Sequence, residues 1–396
     1  MYTLQYTFQE LMDNRLLKRS LGNLFPSEWL EALPKSQYSK TLAQLMEEEK
    51  MQWGAPFLSK EIIACANILT ETANEKRFLF QPMWQDSYEQ NEFSIPDSDL
   101  NNEEGVWLFT GNPAVDNQAF AHTDIPGSVP PYAAITPDQT APDSFENADK
   151  PAHTSGTSLL PAVIICPGGG YSMLSTYSEG LQLAARFERD GGYKAFILNS
   201  RLAPNTWPLP QMDLARAIMY VRKHADEYHI NPDQILIIGS SAGGHLCASE
   251  ALYHEELKKD ILKKYPEYLS DYQPTSARPD GVGLLYPVIS FTSEYHEGSF
   301  LNNTGGDLQL KDKLSVELHM KKDYPPTYAF ANRDDGCVPF SNTTRLDQAL
   351  KEADIPHLCE IFPTGDHGIG LGYQTSAKYW SEHMLSFFAE QFQVNL

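Results

Sequence analysis

The run Gly239-Ser240-Ser241-Ala242-Gly243 sets a serine between two glycines in the spacing G-x-S-x-G. A serine hydroxyl attacks a carbonyl only when a base takes its proton and donors already in place meet the developing charge. Small residues two positions to either side let the backbone turn sharply under such a serine and lift its oxygen clear of a sheet. The pentapeptide alone is common, so its surroundings decide its meaning. The apolar run QILIIGS at 234–240 reads as a strand and a helix is expected from about residue 242. Ser241 therefore falls on a strand-to-helix turn, at the end of a helix whose dipole favours negative charge.

A nucleophilic serine needs a base, and the base needs an acid to hold it. Two stretches supply them, each just after an expected strand. After PTYAFAN (326–332) comes Arg333-Asp334-Asp335-Gly336-Cys337-Val338-Pro339, and after HLCEIF (357–362) comes Pro363-Thr364-Gly365-Asp366-His367-Gly368. His367, in a glycine-flanked turn, is the expected general base, and Asp334 or Asp335 the acid, in the chain order serine, acid, histidine. A fourth element, Pro167-Gly168-Gly169-Gly170-Tyr171, follows the apolar run 161–167. A triple glycine there can aim backbone N–H groups at a tetrahedral oxyanion, with the N–H of Ala242 as partner donor. An ordinary glycine-rich turn is the plainer alternative; a phosphate loop is disfavoured because neither GxxxxGK[ST] nor GxGxxG fits.

The other reactive side chains have structural readings. His245, one turn past the serine, reads as a packing or hydrogen-bonding residue. His224 and His229 lie at a helix C-terminus, and His122 and His153 in a Pro-rich segment. His254, His296, His319, His357 and His383 have no metal-ligand spacing and HExxH is absent, so neither a metal nor any other cofactor is expected. Cys337 reads as a packed thiol, although it lies close enough to Asp335 to line a site. Glu179 reads equally as a group at the site mouth or as a surface or capping carboxylate, and Asp213 and Arg216 as residues holding their helix to the sheet.

The elements that must position these residues begin at about 158. Short continuous apolar runs at 161–167, 194–200, 234–240, 281–290, 326–332 and 357–362 alternate with helical stretches around 180–191, 209–228, from about 242, 341–352 and from about 374. That alternation predicts an α/β domain, a mostly parallel sheet with helices on both faces, over 159–396. Residues 1–95 read as an added helical N-terminal segment, a lid or an oligomer contact, with one helix through 60–77. Residues 96–158 hold one strand, GVWLFTG (105–111), and a loop or linker rich in Pro, Ser, Thr and Asp over 122–158.

With 30 basic and 52 acidic residues the chain carries a net charge of -22, which repels nucleic acid and anionic lipid. The N-terminus lacks a signal-peptide pattern, and no run is long and apolar enough to span a bilayer. Five widely spaced cysteines, Cys65, Cys166, Cys247, Cys337 and Cys359, without a CxxC pair, suit free, mostly buried thiols in the cytoplasm.

From Pro161 to about Leu252, PGGGYSMLSTYSEG, LNSRLAPNTWPLPQMDLARAIMYVRKHA and NPDQILIIGSSAGGHLCA resemble the bacterial acetyl-esterase and acetylxylan-esterase-like branch of the α/β-hydrolase superfamily. The D-x-x-V-P of Asp335 to Pro339 and the Asp366-His367-Gly368 triplet extend the resemblance in the same order. It implies the α/β-hydrolase fold, Ser241 as nucleophile, His367 as base and Asp335 rather than Asp334 as acid. It further implies oxyanion donors on the backbone of Gly169, Gly170 and Ala242, and a small-molecule ester substrate, first an acetyl ester that includes carbohydrate esters. Two departures stand out: Ser200 replaces the aromatic that usually precedes Arg-x-x-P, and PGGGY lacks the leading His of lipase-like HGGG. A peptidase-like or amide hydrolase with the same three residues, a lipase-like enzyme for longer acyl chains, and a non-catalytic ligand-binding protein on this scaffold are the alternatives.

Overall fold

The computed structural model describes residues 159–266, 269–372 and 375–393, together with short stretches among 3–13, 36–44, 80–84 and 106–109. The helix expected over 60–77, the segment 122–158 with His122 and His153, and Cys65 lie outside the described residues.

Eight strands form one sheet in the order β1-β2-β4-β3-β5-β6-β7-β8. They are β1 (Phe80–Pro82), β2 (Trp107–Phe109), β3 (Leu160–Cys166), β4 (Lys194–Asn199), β5 (Ile230–Ser240), β6 (Gly281–Leu285), β7 (Thr327–Asn332) and β8 (His357–Phe362). β1, β2 and β4 pair antiparallel in turn, and every other pairing is parallel. Ile164, Ile165, Ile237, Ile238, Leu284 and Phe330 are fully buried, adjacent residues of β3 and β5 included. A parallel sheet covered on both faces demands such unbroken apolar strands.

Helices α1 (Phe8–Asp13), α2 (Gln182–Arg189), α3 (Leu209–Lys223), α4 (Ala242–Lys264), α5 (Glu297–Thr304), α6 (Ser341–Glu352) and α7 (Trp380–Phe392) complete the frame. The long helix expected over 209–228 breaks at His224, after which a separate turn covers Ala225–Tyr228. β1 and α5 were not foreseen. Three residues cannot display a strand period, and the eight residues of α5 carry Gly, Ser, Asn and Thr where helix formers would announce a helix.

The fold class is an α/β-hydrolase sheet whose strand order reverses beside β3. The chain passes from β3 to β4 on one side, then returns to β5 on the other. In such sheets a crevice opens beyond the carboxyl ends of the strands flanking the switch. Here those ends carry the triple glycine and Ser241.

Asp213 and Arg216 do more than hold α3 to the sheet. Asp213, fully buried, accepts from Arg201 Nη2 at 2.6 Å, from the Arg201 backbone N–H at 2.8 Å and from Trp84 Nε1 at 2.8 Å. Arg216 donates to the Met83 carbonyl at 3.1 Å. These contacts fasten the segment that follows β1 into the catalytic core. Among the described residues no helix is long and apolar enough to cross a membrane.

Glu250, on α4, is fully buried, and neither carboxylate oxygen has a hydrogen-bond partner among the described residues. Burial pushes its pKa well above the ordinary 4.5, while Arg222 pulls the other way. The folded chain therefore holds that proton more tightly than the unfolded chain. Stability from this group is full below the unfolded value and is lost as pH rises through the folded one. Glu250→Gln should raise the unfolding midpoint at neutral pH and flatten its decline, measured by urea unfolding between about pH 4 and 8. An unchanged profile would remove Glu250 as the cause.

Candidate active site

Ser241 is forced into its position by its neighbours. Its φ of 54° and ψ of -118° lie where an L side chain is strained. Two hydrogen bonds hold that conformation, Ser241 N–H to the Leu285 carbonyl at 2.9 Å and Val288 N–H to the Ser241 carbonyl at 3.1 Å. The flanking glycines are obligatory on steric grounds. A Cβ on Gly239 would overlap the Gly243 carbonyl and lie 2.7 Å from Gly244 N, and one on Gly243 would lie 2.7 Å from the Pro167 carbonyl oxygen.

The structure brings Ser241, His367 and Asp335 into one hydrogen-bonded line. Ser241 Oγ lies 2.8 Å from His367 Nε2, and His367 Nδ1 lies 2.7 Å from Asp335 Oδ2. The Asp335 side chain has no exposure and that of His367 has 17%. The other Asp335 oxygen accepts from Cys337 N–H at 2.9 Å and Val338 N–H at 2.8 Å, which fixes the carboxylate plane. Asp334 points elsewhere: its Oδ1 accepts from Gly365 N–H at 2.9 Å and Asp366 N–H at 3.0 Å. One aspartate thus contacts the histidine and its neighbour ties down the loop that carries the histidine. Asn332 Nδ2 adds a bond to the Asp366 carbonyl at 2.8 Å. Cys337 is exposed rather than packed, because the turn that aims its N–H at Asp335 leaves it on the outside.

Across from this line runs the glycine loop. Gly169 and Gly170 have φ of 134° and 64°, conformations that glycine adopts without strain. The loop closes on itself, with Ser172 and Met173 N–H groups donating to the Gly169 carbonyl. Ala242 is the first residue of α4, where backbone N–H groups have no acceptor within the helix. The loop meets the serine at Gly168, where an added Cβ would lie 3.0 Å from the Ser241 Cβ.

Two buried side chains, Glu179, for which the sequence left a place at the site mouth and a surface or capping role equally open, and His245, expected to be structural, contact the loop and its flank. Glu179 sits on a single π-helical turn (Tyr177–Leu181) and is 3% exposed. It is neither a surface group nor one at the mouth. Its Oε2 accepts from Gly168 N–H at 2.8 Å and its Oε1 from Tyr286 OH at 2.8 Å. Tyr286 OH accepts in turn from Gly370 N–H at 3.1 Å, and its ring meets that of His367 edge-on at 4.9 Å. Burial raises the Glu179 pKa, against the pull of its Tyr286 and Gly168 donors and of His367. The second side chain is His245, fully buried on α4. Its Nε2–H donates to the Leu314 carbonyl at 2.8 Å, so its Nδ1 accepts from Tyr171 OH at 2.8 Å. Burial pushes its pKa down to about 4, so it stays neutral. The only sequence signal for either was proximity: Glu179 follows Gly170 by nine residues, and His245 follows the serine by four. Among the described residues no cluster of three His, Cys, Asp or Glu could hold a metal ion.

Fold and site together define an α/β hydrolase with a serine–histidine–aspartate arrangement at the carboxyl ends of its strands. The BD-FAE family model matches residues 150–350, and the chain belongs to this family. The endo-1,4-beta-xylanase B of Butyrivibrio fibrisolvens is 33% identical over 226 residues, 55% of this chain and 34% of that protein. The acetylxylan esterase of Xylanibacter ruminicola is 32% identical over 221 residues, 53% of this chain and 41% of that protein. The match thus spans less than half the length of either relative. Among solved structures, the acetyl ester-xyloside bifunctional hydrolase of Caldicellulosiruptor lactoaceticus superposes with a TM-score of 0.59 at 28% identity, covering 80% of this chain and 97% of that one.

The close approach at the turn makes a direct prediction. Gly239→Ala should destabilise the protein by about 3 kcal/mol, as overpacking of a rigid backbone does, and lower the thermal midpoint. An alanine variant as stable as the parent would contradict the steric reading.

Proposed function

We propose that the protein is a serine carboxylic ester hydrolase that removes short acyl groups, acetyl first, from alcohols that include carbohydrates. The observation that carries the reading is the hydrogen-bonded line from Asp335 through His367 to Ser241, at 2.7 and 2.8 Å, facing a glycine loop across one crevice. Relatives named acetylxylan esterase and acetyl ester-xyloside hydrolase support the choice of acyl group and of alcohol.

The chemistry follows from the geometry. Ser241 Oγ attacks the ester carbonyl as His367 Nε2 takes its proton, and Asp335 holds the imidazole and balances its positive charge. The carbonyl oxygen becomes an oxyanion received by the N–H groups of Gly169 or Gly170 and of Ala242, with the α4 N-terminus adding its dipole. His367 returns the proton to the departing alcohol oxygen as the carbon–oxygen bond breaks, leaving an acyl ester on Ser241. Water, deprotonated by His367, then attacks that ester, and the acid leaves as Ser241 regains its hydrogen. No cofactor enters any step.

Ser241→Ala should keep its fold and lose turnover of p-nitrophenyl acetate by about 10^5-fold, together with labelling by a fluorophosphonate probe. Retained turnover in that variant would refute the mechanism. Glu179 is a positioning residue in this reading, because it grips the oxyanion loop through Gly168 and backs His367 through Tyr286. Glu179→Gln should lower kcat by about tenfold while KM stays within about twofold, since misplaced donors weaken the transition state more than the ground state. A change confined to KM would argue against that role.

A further inference from the structure

A second histidine stands at the mouth of the crevice with no part in the line of three. His296 caps the N-terminus of α5: its Nδ1 accepts from Ser299 N–H at 3.1 Å and lies 2.8 Å from Ser299 Oγ. A histidine is an uncommon choice there, since Ser, Thr, Asp or Asn caps a helix at least as well. What histidine adds is a second nitrogen on the far side of the ring. Because Nδ1 is the acceptor, the hydrogen of the neutral ring sits on Nε2. Among the described residues nothing receives it.

The ring packs beside the glycine loop. Its Cε1, the atom between the two nitrogens, would lie 3.7 Å from a Cβ placed on Gly170, and so borders the open side of the oxyanion loop. Asn302, two turns along α5, donates to the Gly170 carbonyl at 2.8 Å, which binds this helix to the same loop. Gly298 leaves room for the ring: a Cβ there would press on Cε1 at 3.1 Å. His296 is half-buried, and its charge state responds to both His367 and Asp335. It therefore lies beside the glycine loop, within electrostatic reach of His367 and Asp335. Burial, then His367, lowers its pKa, with Asp335 opposing. The ring is accordingly neutral at neutral pH, a donor at Nε2 and not a competing cation.

We propose that His296 is a specificity residue whose Nε2–H donates a hydrogen bond to a free hydroxyl of the substrate's alcohol, so that the site selects partly acetylated polyhydroxy alcohols over esters of simple alcohols. The proposal rests on the ester-hydrolase reading above and narrows its substrate class.

Two substitutions separate the two nitrogens. His296→Asn replaces the capping acceptor and removes the far donor, whereas His296→Gln places an N–H near Nε2 and gives up the cap. The substrates are a monoacetylated methyl xyloside, whose alcohol carries free hydroxyls, and p-nitrophenyl acetate and ethyl acetate, whose alcohols carry none. His296→Asn should keep the thermal midpoint and lose about tenfold in kcat/KM on the xyloside, the scale of one neutral hydrogen bond, while changing by less than about twofold on the two simple esters. His296→Gln should retain xyloside activity within about threefold and lower the thermal midpoint. Equal losses on all three substrates, or none on any, would overturn the proposal. A parent enzyme that cleaves the simple esters and leaves the xyloside intact would also overturn it, with the ester-hydrolase reading unharmed. A parent that cleaves none and resists the fluorophosphonate would sink that reading itself.

Discussion

Everything at this site hangs on the close approach of two backbone segments at the end of β5. A methyl group on Gly239 would strike Gly243 and one on Gly243 would strike the Cys166 and Pro167 carbonyls, and the residue between the two glycines is held at positive φ. That conformation is expensive for an L residue and persists because the surroundings over-determine it. The β6 carbonyl of Leu285 takes the Ser241 N–H, and the buried strands on either side leave the turn no room to relax. The same crossing that strains Ser241 sets α4 directly behind it. One constraint therefore supplies both the placement of the Ser241 hydroxyl against His367 and the helix end that favours negative charge.

A strained turn is useful only if the groups it faces hold equally still, and here buried polar contacts do that work. Glu179 links the loop after β3 to Tyr286 after β6 and, through it, to Gly370 beyond β8. His245 links Tyr171, next to the glycines, to α4 and to the Leu314 carbonyl. Asp334 pins the His367 loop while Asp335 orients the imidazole. The buried pair, Glu179 and His245, is satisfied by backbone and hydroxyl partners, which is the condition under which burying them is tolerable. The outcome is a set of loops from four different strands that behave as one rigid mould, the arrangement that electrostatic preorganisation requires.

The family assignment and the geometry bear on different questions. BD-FAE membership speaks to the class of reaction, hydrolysis of a carboxylic ester. The distances between named atoms speak to how such an ester would be opened. The fastening of Trp84 and Met83 onto α3 adds a point neither addresses: residues well before the catalytic domain complete its core. A domain boundary drawn at the first Pro-rich loop would part Asp213 from its Trp84 donor and Arg216 from the Met83 carbonyl.

Much of this was legible in the chain itself. Continuous apolar strands, alternating with helical stretches, can be accommodated only by a parallel sheet covered on both faces, and that much follows from local composition. Ser241, His367 and the aspartate pair were visible because each follows a strand and all such ends of a parallel sheet converge on one edge. What composition could not show was anything decided by contacts distant in sequence. The choice between Asp334 and Asp335 rests on which carboxylate meets an imidazole 32 residues away. The burial of Glu179 depends on a tyrosine 107 residues further on. His296, in sequence only a histidine without metal-ligand spacing, gains its place only when α5 folds against Gly170. Local sequence specifies which elements form and which side chains can react. Only the packing of those elements decides which reactive groups touch, because hydrogen bonds act over about 3 Å whatever the separation along the chain.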